Sequence, residues 1–321
     1  MSDMGNWTLG PDERFKPFPE FGTKAQRAIM PLITVDEEGD FRPIGTAFAV
    51  APHGLLLTAR HVLNEAHKYS RRTLGPHGKY VDDWSLYAFY MTDVHSTETG
   101  AFEGGLWPVV STHFYEGTDL ACCTLKPLSR AGVPVQLPCL PLTLNPPNED
   151  ENVLGLGYYS MEFGKQIENT LPYFQDTALS RGRVGRVFQE RHDNGLLSFP
   201  CFRTDANFEH GMSGGPIFGE QGRVCGVITG GSFDPSRNFG SLLWPAMGLF
   251  APASIDGCIQ HWAMHELAER NIVSVLALER VKVDIIGDRN ETLASVTYAA
   301  SGPNYTVADD ERLIGMSSRT P

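Results

Sequence analysis

Apolar runs in the first 250 residues are short, rich in β-branched and aromatic residues, and cut off by glycine or proline. IMPLITV, GTAFAVAP, GLLLTA, WSLYAFYM, LWPVVS and DLACCTL succeed one another from Ala28 to about residue 130. After a proline-rich joint, LPCLPLTLNPPNEDEN, the pattern resumes with VLGLGYY, ALSRGRVGRVF, GLLSFPCF, GPIFG, RVCGVIT and GSLLWPA. Many short strands spaced by turn residues predict an all-β chain. The 33 glycines and 22 prolines exceed the roughly 12% of an average chain and argue against a helical bundle. Because the joint divides the strands into two sets of similar size, two barrels fit better than one sandwich.

Four segments follow. Residues 1–28 carry Pro11, Pro17 and Pro19 among Phe15, Phe18 and Phe21, which predicts an extended arm laid on a surface. Residues 29–130 and 131–253 hold the two strand sets. Residues 254–321 differ: Ile255, Cys258, Ile259, Trp262 and Ala263 recur at helical spacing, predicting an amphipathic helix over 254–270. IVSVLAL and VKVDII come next, then a polar tail from about Ser301.

The net charge of −12 repels phosphate backbones, so no nucleic-acid partner is expected. The longest apolar stretch, Ser241 to Ala253, is too short for a bilayer and contains Pro245 and Pro252, so no membrane association is expected. The amino terminus has neither the basic nor the apolar region of a secretory signal. Cys122, Cys123, Cys139, Cys201, Cys225 and Cys258 form no C-x-x-C pair, and several sit in apolar runs. Buried free thiols and a cytoplasmic location are the expectation.

Chemistry concentrates in three places. FEHGMSGGPIFG, residues 208–219, sets Ser213 among glycines before a strand, suited to a nucleophile on a tight turn. Gly211 suits an oxyanion site, where backbone N–H groups must converge without side chains in the way. A nucleophilic serine needs a base, and GLLLTARHVL offers His61 at the end of an apolar strand. The base needs an orienting carboxylate. Asp119, in GTDLACCTL, heads an apolar strand where an unpaired acid would be costly. Asp82, Asp83 and Asp93 are rivals, but none directly precedes such a strand.

Together these motifs resemble the trypsin-like (chymotrypsin-fold) serine peptidases, nearest in look to the bacterial trypsin-like and high-temperature-requirement types. GTAFAVAPHGLLLTARHVL is similar to the histidine signature of the family, DLACCTL to its aspartate strand, and GMSGGPIF to its serine turn, over about residues 29–250. The resemblance implies two six-stranded antiparallel β-barrels; the arm before residue 29 and the C-terminal helix and extension after 250 lie outside it. It also implies a His61–Asp119–Ser213 triad, an oxyanion hole from the N–H groups of Gly211 and Ser213, and no metal or cofactor. Substrate would border Asn207, His210, Thr229, Gly230 and Gly231, a peptide adding as a strand along the last three.

Departures narrow this. Met212 stands where secreted relatives carry an acid that pairs with a freed amino terminus, and Val62 stands where they carry a cysteine. Asn207 at the pocket floor argues against simple Arg/Lys preference, and Ile228 against glutamate preference. Asp205 and Glu209 nearby would attract a basic side chain, so the expectation is only a slight preference for neutral or apolar residues. His261, His265 and Glu266 lack the H-E-x-x-H arrangement of a zinc site. GLGYYSMEFG and RGRVGRV lack the strand–loop–helix context of a phosphate loop. The function expected is an intracellular serine endopeptidase acting on a protein or peptide substrate, with a regulatory protein partner as a further expectation. The alternatives are a catalytically silent peptide-binding scaffold and a viral polyprotein-processing protease.

Overall fold

Strands Ile29–Val35, Phe41–Ala51, Leu55–Ala59, Leu86–His95, Phe102–Phe114 and Leu120–Leu125 (β1–β6) close a barrel in the order β1-β2-β3-β6-β5-β4. This arrangement comes from a computed structural model. It describes residues 15–18, 27–36, 38–69, 71–74, 80–83, 85–95, 102–114, 117–127, 129–130, 133–164, 172–192, 197–230, 238–255, 258–286, 293–300 and 303–308. Every residue of β3 and β6 is buried. Buried on both faces, these strands read as continuous apolar runs without alternation. Helix α1, Arg60–Lys68, leaves β3 directly and buries Val62, Leu63 and Ala66.

The second barrel uses Asn152–Phe163, Tyr173–Phe188, Cys201–Thr204, Pro216–Phe218, Val224–Gly230 and Asn238–Leu242 (β7–β12), in the ring β10-β7-β8-β9-β12-β11 closed by β10–β11 pairing. In β8, Arg181 and Arg183 point outward while Ser180, Gly182 and Val184 are buried. The arginines of RGRVGRV are thus the solvent face of a strand. Phe15–Phe18 is a strand antiparallel to Thr177–Ser180 of β8. Within the joint, Leu142 and Thr143 pair in parallel with Val275 and Leu276.

The chain after 250 corrects two expectations. The helix expected over 254–270 is confined to Met264–Glu269 (α2). The residues before it form a hairpin of Phe250–Ile255 (β13) and Cys258–Ala263 (β14). The apolar spacing suits either element, and long-range contacts decide between them. The Phe250 carbonyl accepts Cys122 Sγ–H and the Phe250 N–H donates to His113 Nδ1, both on the first barrel. Ile259, expected in the helix's buried face, is 79% exposed.

The polar tail, for its part, contains a strand. Val281–Ile286, Leu293–Ala299 and Asn304–Ala308 (β15–β17) form an antiparallel sheet in which Val307 and Ala308 are buried. Tyr298 stacks on Trp244 at 5.8 Å, and both side chains are fully enclosed. The extension is therefore part of the same apolar core as both barrels. No helix among the described residues is long and apolar enough to cross a membrane.

Candidate active site

The register of β3 against β6, Leu55↔Thr124 through Ala59↔Leu120, sets the next residues side by side. Arg60 N–H donates to the Asp119 carbonyl at 3.0 Å, and His61 N–H to Asp119 Oδ1 at 3.0 Å. His61 Nδ1 lies 2.9 Å from Asp119 Oδ2. An ionised carboxylate only accepts, so Nδ1 carries the proton and the Nε2 lone pair is left available. Asp119 is 8% exposed, whereas the His61 side chain is 44% exposed. Burial pulls the imidazolium pKa down, but the hydrogen bond to Asp119 and its charge, with Glu65 behind them, outweigh that and leave it raised. The rival acids lie elsewhere: Asp82 and Asp83 on a strand paired with Arg71–Leu74, Asp93 on β4.

Thr229, expected to border substrate, has a role the sequence did not suggest. Its buried hydroxyl donates to Asp119 Oδ2. A buried hydroxyl closing the apolar run RVCGVIT was the available signal.

Ser213 arrives from the second barrel. Residues 209–212 form a turn closed by Met212 N–H to the Glu209 carbonyl at 3.1 Å, with Gly211 at φ +94°. A positive φ at the third position is the type II requirement that glycine meets. Gly214, at φ +86°, leaves no space for a side chain: a Cβ would sit 2.1 Å from the Thr46 carbonyl and 3.1 Å from the Ala59 nitrogen. The serine turn thus rests on the strand that leads into His61. Met212 is wholly buried and its Sδ accepts the Glu209 N–H, so an apolar anchor occupies the position of an acid.

The donors along this turn divide sharply. Met212 N–H serves Glu209, Gly214 N–H serves Ile228 and Gly215 N–H serves Met212. Among the described residues, the N–H groups of Gly211 and Ser213 donate to nothing, and Ser213 Oγ makes no hydrogen bond to the His61 ring.

Of the expected substrate-bordering residues, Asn207 is engaged, its N–H donating to Ser180 Oγ and its Nδ2 to Glu209 Oε1. His210 is exposed and Gly230 ends β11; Gly231 lies outside the described residues. Glu266 is committed to its helix, accepting the Ala263 N–H, while His261 sits on β14 and His265 on α2. His261 and His265, four apart in a segment expected to be one helix, therefore lie on different elements.

Two closed antiparallel barrels with these three motifs on their facing loops define the chymotrypsin-like class. The family model of the trypsin-like peptidase domain matches residues 45–227, and the chain belongs to that family. Among solved structures, Deg5 is similar with a TM-score of 0.43 and 15% identity over 68% of this chain and 85% of its own. The active form of the Rv3671c protease from M. tuberculosis gives 0.42 and 17% over 68% and 76%. The MamO protease domain from Magnetospirillum magneticum gives 0.40 and 15% over 68% and 94%. These likenesses are weak, and the assignment rests on the family match. No curated protein matches the chain.

Proposed function

We propose that the chain is a serine endopeptidase. Ser213 Oγ attacks the scissile carbonyl while His61 Nε2 takes its proton. The resulting oxyanion is held by the N–H groups of Gly211 and Ser213. His61 then gives the proton to the departing amine, leaving an acyl-enzyme. Water, deprotonated by the same ring, attacks that ester and frees Ser213. Asp119 keeps the imidazole in the right tautomer and stabilises its charged form, with Thr229 holding the carboxylate.

The observation that carries this reading is the pair of uncommitted N–H groups at alternate positions of one turn, beside the Asp119–His61 pair. The N–H groups of Met212, Gly214 and Gly215 are all spent within the protein, so the two left open on either side of Met212 match the need of an oxyanion. The missing Ser213–His61 hydrogen bond is compatible, since catalytic hydrogen bonds often tighten only with substrate bound.

A fluorophosphonate probe should label the wild-type protein once, at Ser213, and Ser213→Ala should abolish labelling and peptide cleavage without loss of fold. A well-folded wild type that neither labels nor cleaves would leave a silent peptide-binding scaffold. We also place the enzyme in a reducing compartment. Cys122, Cys123 and Cys225 are buried free thiols, and burial pushes the Cys122 thiol up to about 12. Thiol titration of denatured protein without reductant should count all six; two or fewer would place it in an oxidising one. Finally, with Met212 unable to accept an ion pair, the uncut chain reaches the active geometry. Labelling of protein with verified intact mass tests this, and activity appearing only after a defined internal cut would overturn it.

A further inference from the structure

The serine turn is gripped from the other barrel by a single residue. Thr46, fully buried on β2, gives its backbone N–H to the Ser213 carbonyl at 2.8 Å and its hydroxyl to the Gly211 carbonyl at 2.8 Å. The same Oγ1 accepts the Tyr158 N–H of β7 at 3.0 Å, and the Thr46 carbonyl accepts Thr58 Oγ1–H at 2.7 Å. Thr46 therefore holds the carbonyls of the two residues whose own N–H groups are uncommitted.

This matters because types I and II of such a turn differ by a flip of the central peptide, here His210–Gly211. Glycine accepts either sign of φ at little cost. A flip would swing the Gly211 N–H away and bring the His210 carbonyl into the space meant for the oxyanion. Met212 supplies no charge to oppose it. The peptide that follows, Gly211–Met212, is held at its N–H by Glu209 and at its carbonyl by Thr46, which anchors the plane against which the central peptide is oriented. The β-branched Thr46 side chain has few rotamers of its own, and its hydroxyl is engaged both as donor and as acceptor.

We propose that Thr46 is a positioning residue that keeps the oxyanion donors of Gly211 and Ser213 pointing into the site, so that the hole is preformed in the uncut chain. The inference rests on the serine-peptidase reading. The first measurement separates the two: wild type that fails to label defeats that reading, whereas the variants below bear on Thr46 alone.

Thr46→Val keeps the shape and loses the hydroxyl, while Thr46→Ser keeps the hydroxyl. With a peptide that wild type cleaves, Thr46→Val should lower kcat by about 10²-fold, the low end for a lost oxyanion donor, with KM within about threefold. Affinity for a boronic-acid derivative of that peptide, which forms a tetrahedral adduct on Ser213, should fall by a similar factor. Affinity for the cleaved peptide product should not change. The pH midpoint of kcat/KM, set by His61, should stay in place, and Thr46→Ser should retain kcat within about fivefold. Wild-type kcat in Thr46→Val overturns the proposal, as do equal losses for boronate and product peptide, or a Thr46→Ser enzyme as impaired as Thr46→Val. Should Thr46→Val not fold, Thr46→Ala replaces it, judged by the same readouts. Failure of both to fold beside a normal Thr46→Ser makes the role structural and also overturns the proposal.

Discussion

Replacing Asp119 by Asn keeps the volume of the side chain but removes its charge and reverses two hydrogen bonds. Asn Oδ1 still accepts the His61 N–H, now given at 3.0 Å. The amide nitrogen, placed where Oδ2 stands 2.9 Å from His61 Nδ1, donates where the carboxylate accepted. The Thr229 hydroxyl, now a donor to Oδ2, has to turn and accept. A donor facing Nδ1 forces the imidazole proton onto Nε2, the atom that must take the proton of Ser213. Turnover should fall about 10⁴-fold, equivalent to about 5.4 kcal/mol of barrier, with KM little altered and the fold intact by circular dichroism. The pH profile supplies an independent sign. In the wild type, activity rises as the imidazolium deprotonates, at a pKa burial lowers but Asp119 raises further. Without the carboxylate only burial and the more distant Glu65 remain, so the midpoint should move to lower pH. The assay is steady-state cleavage across pH 5–9, normalised by the titrated amount of folded enzyme. Turnover within tenfold of wild type, or a midpoint moved upward, would refute the assignment of Asp119.

His113 is held neutral, its pKa brought down to about 4 by burial and the neighbouring His261. Its folded value lies below the unfolded one near 6.5, so its stabilisation is complete above that pH and lost as pH falls towards 4, by about 3 kcal/mol. Urea unfolding at pH 7 and pH 4 with histidine NMR checks this; a His113 ring titrating near 6.5 contradicts it. Truncation after residue 302 removes β17 with buried Val307 and Ala308 and should cost at least about 2 kcal/mol, along with activity. Unchanged denaturation and activity would mean that the strand is dispensable. Ile259→Ser, at an exposed strand position, should change stability by less than about 0.5 kcal/mol; a loss above 2 kcal/mol would restore a buried role for Ile259.

Sequence patterning exposed the barrels because each strand is bracketed by residues that end strands for local reasons. His61 and Asp119 stood out as candidates for a related reason: each is a polar residue at the end of an apolar run, where burial without a partner is costly. Ser213 stood out by the glycines around it ahead of a strand. Thr46 lies inside such a run and Thr229 closes one, and a threonine in a strand is also an ordinary strand former. Their roles arise from contacts 165 and 110 residues away in the chain, which no local window contains. The hairpin at 250–263 was misread because short apolar runs satisfy helical and extended spacing alike. The polar composition after Ser301 concealed β17 because two small side chains, Val307 and Ala308, suffice to seat it.

That seat has a consequence in time. A side chain on Gly117 would lie 2.6 Å from Val307 and 3.1 Å from the Ala308 carbonyl, so β17 closes over the loop that presents Asp119. Residues 117 and 307 are separated by 190 positions, which at about 5–20 residues per second take a ribosome roughly 10–40 s to traverse. Both barrels will have left the ribosome while the support of the acid's loop is still being made. Between those two moments the nascent chain carries both barrels without the strand that braces the loop of its acid.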